Sequence, residues 1–136
     1  DVPEDRKIEL PVFEETQMGL SIGLALQGFI PITIYPRMNF LLMALGQLVN
    51  HLDKIPEMSK GGWKPKVIIR TMVCCDRPLN PGKQHLGNFT THLRNMMDQV
   101  QVWDLWCADV VYHSYKLALE CEGSAVLVEY GSLYHV

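Results

Sequence analysis

Residues 66–72 read Lys-Val-Ile-Ile-Arg-Thr-Met, a short, apolar, largely β-branched run between Pro65 and a Pro-, Gly- and Asn-rich segment at 74–88. It is the clearest strand in the chain. Upstream, residues 31–35 (Pro-Ile-Thr-Ile-Tyr) read as another strand, and a shorter one is expected at 7–10; downstream, 100–105 and 125–129 (Ala-Val-Leu-Val-Glu) complete the set. The intervening stretches have helical character. A helix is predicted over 15–27, ended by Gly28, which tolerates the left-handed conformation of a helix C-terminus. A second is predicted over 39–54, capped by Asn39 and closed at Ile55-Pro56, because the residue before proline is pushed out of helical geometry. A third covers 89–98. A fourth covers 108–120, with Val111, Tyr115, Leu117, Ala118 and Leu119 mostly on one stripe. Strands alternating with helices of crossover length give a single α/β domain over 1–136, three layers with a mostly parallel sheet flanked by helices.

The chain has 136 residues, 48% hydrophobic and 20% charged, with a formal net charge of -3. That length supports a real core, which excludes disorder as the main description. No block of Lys or Arg is present, so neither nucleic acid nor an anionic membrane surface is expected as a partner. No apolar run reaches the roughly 20 residues that span a bilayer, and the charged start DVPEDRK does not read as a signal peptide, which predicts a cytoplasmic protein. Four cysteines, with Cys74 and Cys75 adjacent, are too few and too irregular for a disulfide framework, and are read as reduced thiols. The five histidines do not pair at helical ligand spacing, so no metal site is proposed.

Two features predict that this domain is covered by something else. Residues 40–45 (Phe-Leu-Leu-Met-Ala-Leu) are apolar around the whole helix, whereas a helix between sheet and water needs only one apolar stripe. Gly19 and Gly23 lie four apart in the first helix, at a cost of about 1 kcal/mol each relative to alanine, and would let another backbone or a flat ligand approach. Ordinary internal packing is the simpler account of the glycines alone; together with the second helix they point to a subunit or domain interface.

No GxGxxG follows a strand, and neither a GxxxxGK[ST] phosphate loop nor a GxSxG elbow is present. What remains is an ordered series: Pro11, then Glu14, a glycine-containing helix, Gly28-x-x-Pro31-Ile32, Asn39-Phe40, and Gln47-x-x-Asn50. It continues through VIIR, PLNPGKQHLGNF and the closing VLVEYGSLY. From Arg6 onward this series resembles the pyrimidine-binding domain of thiamine diphosphate enzymes, most closely the beta subunit of 2-oxoacid dehydrogenases of the pyruvate type, and more distantly transketolase.

The resemblance implies a thiamine diphosphate-binding fold and a function as the pyrimidine-binding half of an enzyme acting on a small 2-oxo acid, by decarboxylation and acyl transfer. It assigns Glu14 to the pyrimidine ring nitrogen, where a carboxylate favours the coenzyme's imino form. Phe40 matches an aromatic stacked on the aminopyrimidine. His85 matches a histidine placed near the reacting substrate, and Pro36 falls where an apolar residue lies near the thiamine. The Gly-Asp-Gly and downstream Asn that hold magnesium and diphosphate in this class are missing. The resemblance therefore implies a pyrophosphate-binding partner domain or subunit that supplies the magnesium, in a hetero- or homo-oligomer, with this chain lacking family elements at both ends. The loop after Arg70 reads Thr-Met-Val-Cys-Cys-Asp where the family is glycine-rich, so its backbone is expected to take another path. Two alternatives stand beside this reading: transketolase-like ketol transfer, and a non-catalytic subunit that keeps the fold only.

Overall fold

The structure, a computed structural model, describes residues 2–134; His135 lies outside them. Four strands, β1 (Ile32–Tyr35), β2 (Ile68–Val73), β3 (Gln101–Leu105) and β4 (Ala125–Tyr130), pair in parallel in the order β1-β2-β4-β3. The expected α/β layering is therefore present, with every pairing parallel.

The chain leaves β1 and β2 in one direction across the sheet and returns from β3 to β4 in the other. Parallel crossovers are right-handed, so that reversal puts the last helix on the opposite face. The core divides accordingly. Met18 and Ile22 of α1 (Glu14–Leu26), Leu41 of α2 (Met38–Leu41) and Leu93, from a helix described below, pack with Ile69, Val126 and Val128 on one face; Ala118 packs with Ile68, Leu105 and Leu127 on the other. On that second face Ile32 and Ile34 of the edge strand β1 stay half exposed.

Helix α1 starts one residue before its expected boundary and stops at Leu26; Gly28 adopts φ +91°, the left-handed conformation its glycine allows. The run over 7–10 forms no strand. Ile8 is exposed, and charged Lys7 and Glu9 followed by Pro11 leave little to bury and one donor fewer to pair. The second predicted helix is broken into pieces: α2, a 3₁₀ turn at Leu42–Ala44, α3 (Leu45–Gln47) and a π-helical turn at Leu48–Leu52. Arg37, not Asn39, is its N-cap residue; the Asn39 side chain instead accepts from the Gly87 N–H at 3.3 Å. Nor does Ile55-Pro56 end a helix. It opens α4 (Ile55–Met58), with Pro56 in the first turn, where its missing N–H would have had no intrahelical partner.

Of the second helix's outward residues Met43 is exposed, while Leu42, Leu45 and Val49 are partly covered. A methyl group on Gly19 would meet the Gln47 side chain at an ordinary 3.7 Å, so Gly19 faces helix α3 within the domain, whereas Gly23 is open. Helix α5 (Thr90–Met96) is shorter than expected at both ends. Asn88 accepts from the Thr90 N–H and hydroxyl ahead of it, and residues 97–100 leave helical form to meet Asp53. Helix α6 (Ala108–Glu120) has its expected bounds. Among the described residues no helix is long and apolar enough to cross a membrane.

Candidate functional site

In a parallel sheet the loops at the carboxyl ends of the strands are free to carry side chains from several elements. Here α1 begins, and α2 follows, where β1 ends. The Tyr35 hydroxyl, at the last residue of β1, donates to the backbone carbonyl of Glu14 at 3.2 Å, and Gln17 Nε2 donates to Thr33 Oγ1 at 2.8 Å and to the Ile34 carbonyl at 2.9 Å. The start of α1 is thus pinned to β1. Burial pushes the Tyr35 phenol well above its ordinary value, and the nearby Glu14 carboxylate adds to that, so the phenol stays a neutral donor. Glu14 itself is half-buried, and its carboxylate forms no ion pair among the described residues.

Phe40 sits in the first turn of α2. Its ring meets the His85 imidazole edge-on, with centroids 5.5 Å apart at 65°, and the Arg37 guanidinium lies 5.8 Å from the same ring. Residues 45 apart in sequence are brought together because the loop before α5 folds back on α2. Gly87 makes that approach possible: a methyl group there would come within 2.5 Å of the Phe89 ring and 3.0 Å of the Asn39 amide nitrogen. Gly82, at φ +87°, starts the 3₁₀ turn Lys83–His85, and the His85 N–H donates back to the Gly82 carbonyl. The imidazole Nδ1 is buried with no hydrogen-bond partner among the described residues. Thr71 Oγ1, on the sheet face shared with Tyr35, is likewise buried and unpaired.

Glu14, Phe40 and His85 therefore lie at one end of the sheet, with Phe40 and His85 in contact. Pro36 is exposed and lines a hollow of about 210 Å³ bounded also by Ile34, Arg70, Met72 and Tyr134.

Beside that hollow is a cluster the sequence reading did not single out. Glu129 is almost fully buried, and its carboxylate receives Arg70 through two bonds of 2.9 and 3.0 Å, the Tyr115 hydroxyl at 2.5 Å and the Tyr134 hydroxyl. Burial pushes the Glu129 carboxyl up, but Arg70, Tyr115 and Tyr134 outweigh it and hold it below the usual carboxylate range. One opposite charge in each of two apolar strands, VIIRTM and AVLVEY, was the available signal. Asp53, also overlooked, is fully buried where the chain enters β3. Its carboxylate accepts the backbone N–H groups of Asp98, Gln99 and Val100 and pairs with Lys54. All four cysteines are unbonded. Among the described residues, no three His, Cys, Asp or Glu side chains converge as for a metal ion.

With this geometry in place, comparison with known proteins finds pyruvate dehydrogenase E1 beta subunits among the relatives of this chain. The chain resembles the beta subunit of the pyruvate dehydrogenase E1 component. It is 25% identical over 134 residues (96% of this chain) to subunit beta-3, chloroplastic, of Oryza sativa subsp. japonica, covering 33% of that protein. The figures for the Chaetosphaeridium globosum subunit beta are 25% and 96%, covering 39% of it. The mitochondrial subunit beta of Saccharomyces cerevisiae is 34% identical over 67 residues, 49% of this chain and 18% of its own length. The chain thus spans about a third of the length of the first two. No family model matches it.

Proposed function

We propose that this chain is the pyrimidine-binding half of a thiamine diphosphate enzyme that acts on a 2-oxo acid together with a pyrophosphate-binding domain or subunit. The observation that carries the reading is the contact of Phe40 with His85 beyond the carboxyl end of β1, where Tyr35 also pins the backbone of Glu14, in a chain similar along its length to pyruvate dehydrogenase E1 beta subunits. The residues present fit such a coenzyme. Phe40 offers an aromatic face to a flat ring, Glu14 offers a carboxylate not engaged in an ion pair, and His85 Nδ1 is a buried polar atom without a partner. A buried, unpaired nitrogen costs on the order of 1–3 kcal/mol, a cost that a site can recover when it is filled.

When bound, the coenzyme would supply a place for the electron pair released as the bond to the substrate carboxylate breaks. The chain's own residues have four tasks. Glu14 holds a proton against the pyrimidine nitrogen, its backbone fixed by Tyr35 and by the Gln17 bridge to β1. Phe40 orients the ring by stacking. Pro36 supplies an apolar edge. His85 delivers a proton to the reacting substrate, its ring angle set by the edge contact with Phe40. Magnesium and the diphosphate belong to the partner.

The test is Glu14→Gln in the full chain co-expressed with a partner that carries the Gly-Asp-Gly and Asn pattern. Thiamine diphosphate-dependent turnover should fall by about a hundredfold or more, with assembly unchanged. Wild-type turnover in that variant would overturn the reading.

A further inference from the structure

Two arginines of this chain are half-buried, Arg37 and Arg70. Arg70 is matched by Glu129 through two parallel bonds, the geometry that best satisfies a guanidinium. The Arg37 guanidinium forms no ion pair or hydrogen bond among the described residues; it lies 5.8 Å from the centre of the Phe40 ring. A ring face attracts a guanidinium but leaves its N–H donors unused, and partial burial has already removed some of their water. The same ring touches His85, whose Nδ1 is buried and unpaired, and Lys83 lies on the same 3₁₀ turn as His85. Positive charge and unused donors thus gather around the aromatic ring of the proposed site.

We propose that Arg37 binds a second anionic group on the substrate, so that this chain serves an enzyme for 2-oxo acids carrying a further carboxylate or a phosphate, not for a simple monoanionic 2-oxo acid. The inference rests on the proposed function and names the substrate class of that site. A planar fork of N–H donors suits either oxyanion. The contact with Phe40 keeps the fork at the rim of the site without neutralising it.

The test uses the complex of the full chain with its pyrophosphate-binding partner and three substrates: pyruvate, 2-oxoglutarate and 3-phosphohydroxypyruvate. The wild-type complex should favour one of the two compounds with a second anionic group, and which one it favours separates carboxylate from phosphate recognition. Arg37→Gln should lower kcat/KM for that compound by about tenfold or more, through KM, with less than about a twofold change for pyruvate. Arg37→Lys should retain part of the preference. Thiamine diphosphate affinity, read by fluorescence titration, should not move. A wild-type preference for pyruvate overturns the proposal, as does an Arg37→Gln effect equal on all three substrates or confined to coenzyme affinity. Loss of every turnover in the wild-type complex instead overturns the functional reading beneath it.

Discussion

At the amino ends of the strands, the buried polar groups have their partners. Asp53 accepts three residues' N–H groups and pairs with Lys54, and the Ser124 hydroxyl accepts from the Val67 N–H and donates to the Pro65 carbonyl. At the carboxyl ends, Thr71 Oγ1 and His85 Nδ1 are buried without one, and Arg37 has only an aromatic ring. Burying a polar atom unpaired costs free energy that folding alone gives no reason to spend. The difference teaches that one end of the sheet is complete as a folded object, while the other also holds donors and acceptors that nothing among the described residues uses. Stability should therefore depend on the buried polar groups that have partners, Asp53 at the first end and Glu129 at the second, and be nearly indifferent to the unpaired ones at the second.

The largest expected effect is at Asp53. Asp53→Ala strips the acceptor from the backbone N–H groups of Asp98, Gln99 and the buried Val100 and should cost about 3–5 kcal/mol in urea-induced unfolding. A loss below about 1 kcal/mol would break the comparison at its strong end. Burial pushes the Asp53 carboxyl up, but the N–H of Val100, the Lys54 ammonium and the N–H groups of Asp98 and Gln99 together hold it below the usual carboxylate range. A depressed folded value means that the stabilisation is present above the unfolded value, about pH 4, and is lost as pH falls through the folded one.

Glu129→Gln comes next. It keeps the shape but removes the charge that Arg70 and two tyrosines converge on, and about 2 kcal/mol should be lost. Glu129 is depressed in the same sense as Asp53, so the fall in stability as pH drops below about 4 should be shallower in this variant than in the wild type. An unchanged acid limb would show that the cluster carries little of it. Gly87→Ala should cost a smaller 1–2 kcal/mol or so, because the added methyl meets the Phe89 ring at 2.5 Å and the ring must shift. It sharpens the comparison by moving the His85 loop away from α2, which amide hydrogen exchange of residues 82–88 would report as faster exchange.

Much of the fold was legible because it depends on composition and period. The run VIIR could only be a buried strand, Gly28 marked the end of α1, and α6 took its expected bounds from one apolar stripe. The second helix was misread in its interior because nothing local in LLMALGQLVNHLDK announces a π turn. What forces it is Asp53, whose N–H donates to the Leu48 carbonyl while its carboxylate turns inward to the chain entering β3, 45 to 47 residues later. A contact at that range leaves no local pattern. The same holds at the site. Glu14, Phe40 and His85 were found as members of an ordered motif, whereas the unpaired state of Arg37 and of His85 Nδ1 depends on what the fold brings near them. Arg70 and Glu129 were visible as charges in apolar strands, but their pairing required the register that sets Arg70 opposite Leu127, with Glu129 two residues further along the same face.

The smallest expected effect is also the most exacting test. Thr71→Val replaces a buried hydroxyl by a methyl group of nearly the same volume. Where the hydroxyl is hydrogen-bonded, that exchange costs about 1 kcal/mol or more, since a bond is lost and its other member is left bare. At Thr71 there is no bond to lose: Oγ1 has shed its water and gained nothing. The exchange should therefore leave stability unchanged or raise it by up to about 1 kcal/mol, although Thr71 is 1% exposed and lies in the central strand β2 beside Tyr35. A loss of more than about 1 kcal/mol would mean that the hydroxyl is paired after all and that the carboxyl end is as complete as the amino end. A neutral or stabilising result would place the hydroxyl's purpose outside the energetics of this fold, at the end of the sheet where Glu14 begins α1 and Phe40 meets His85.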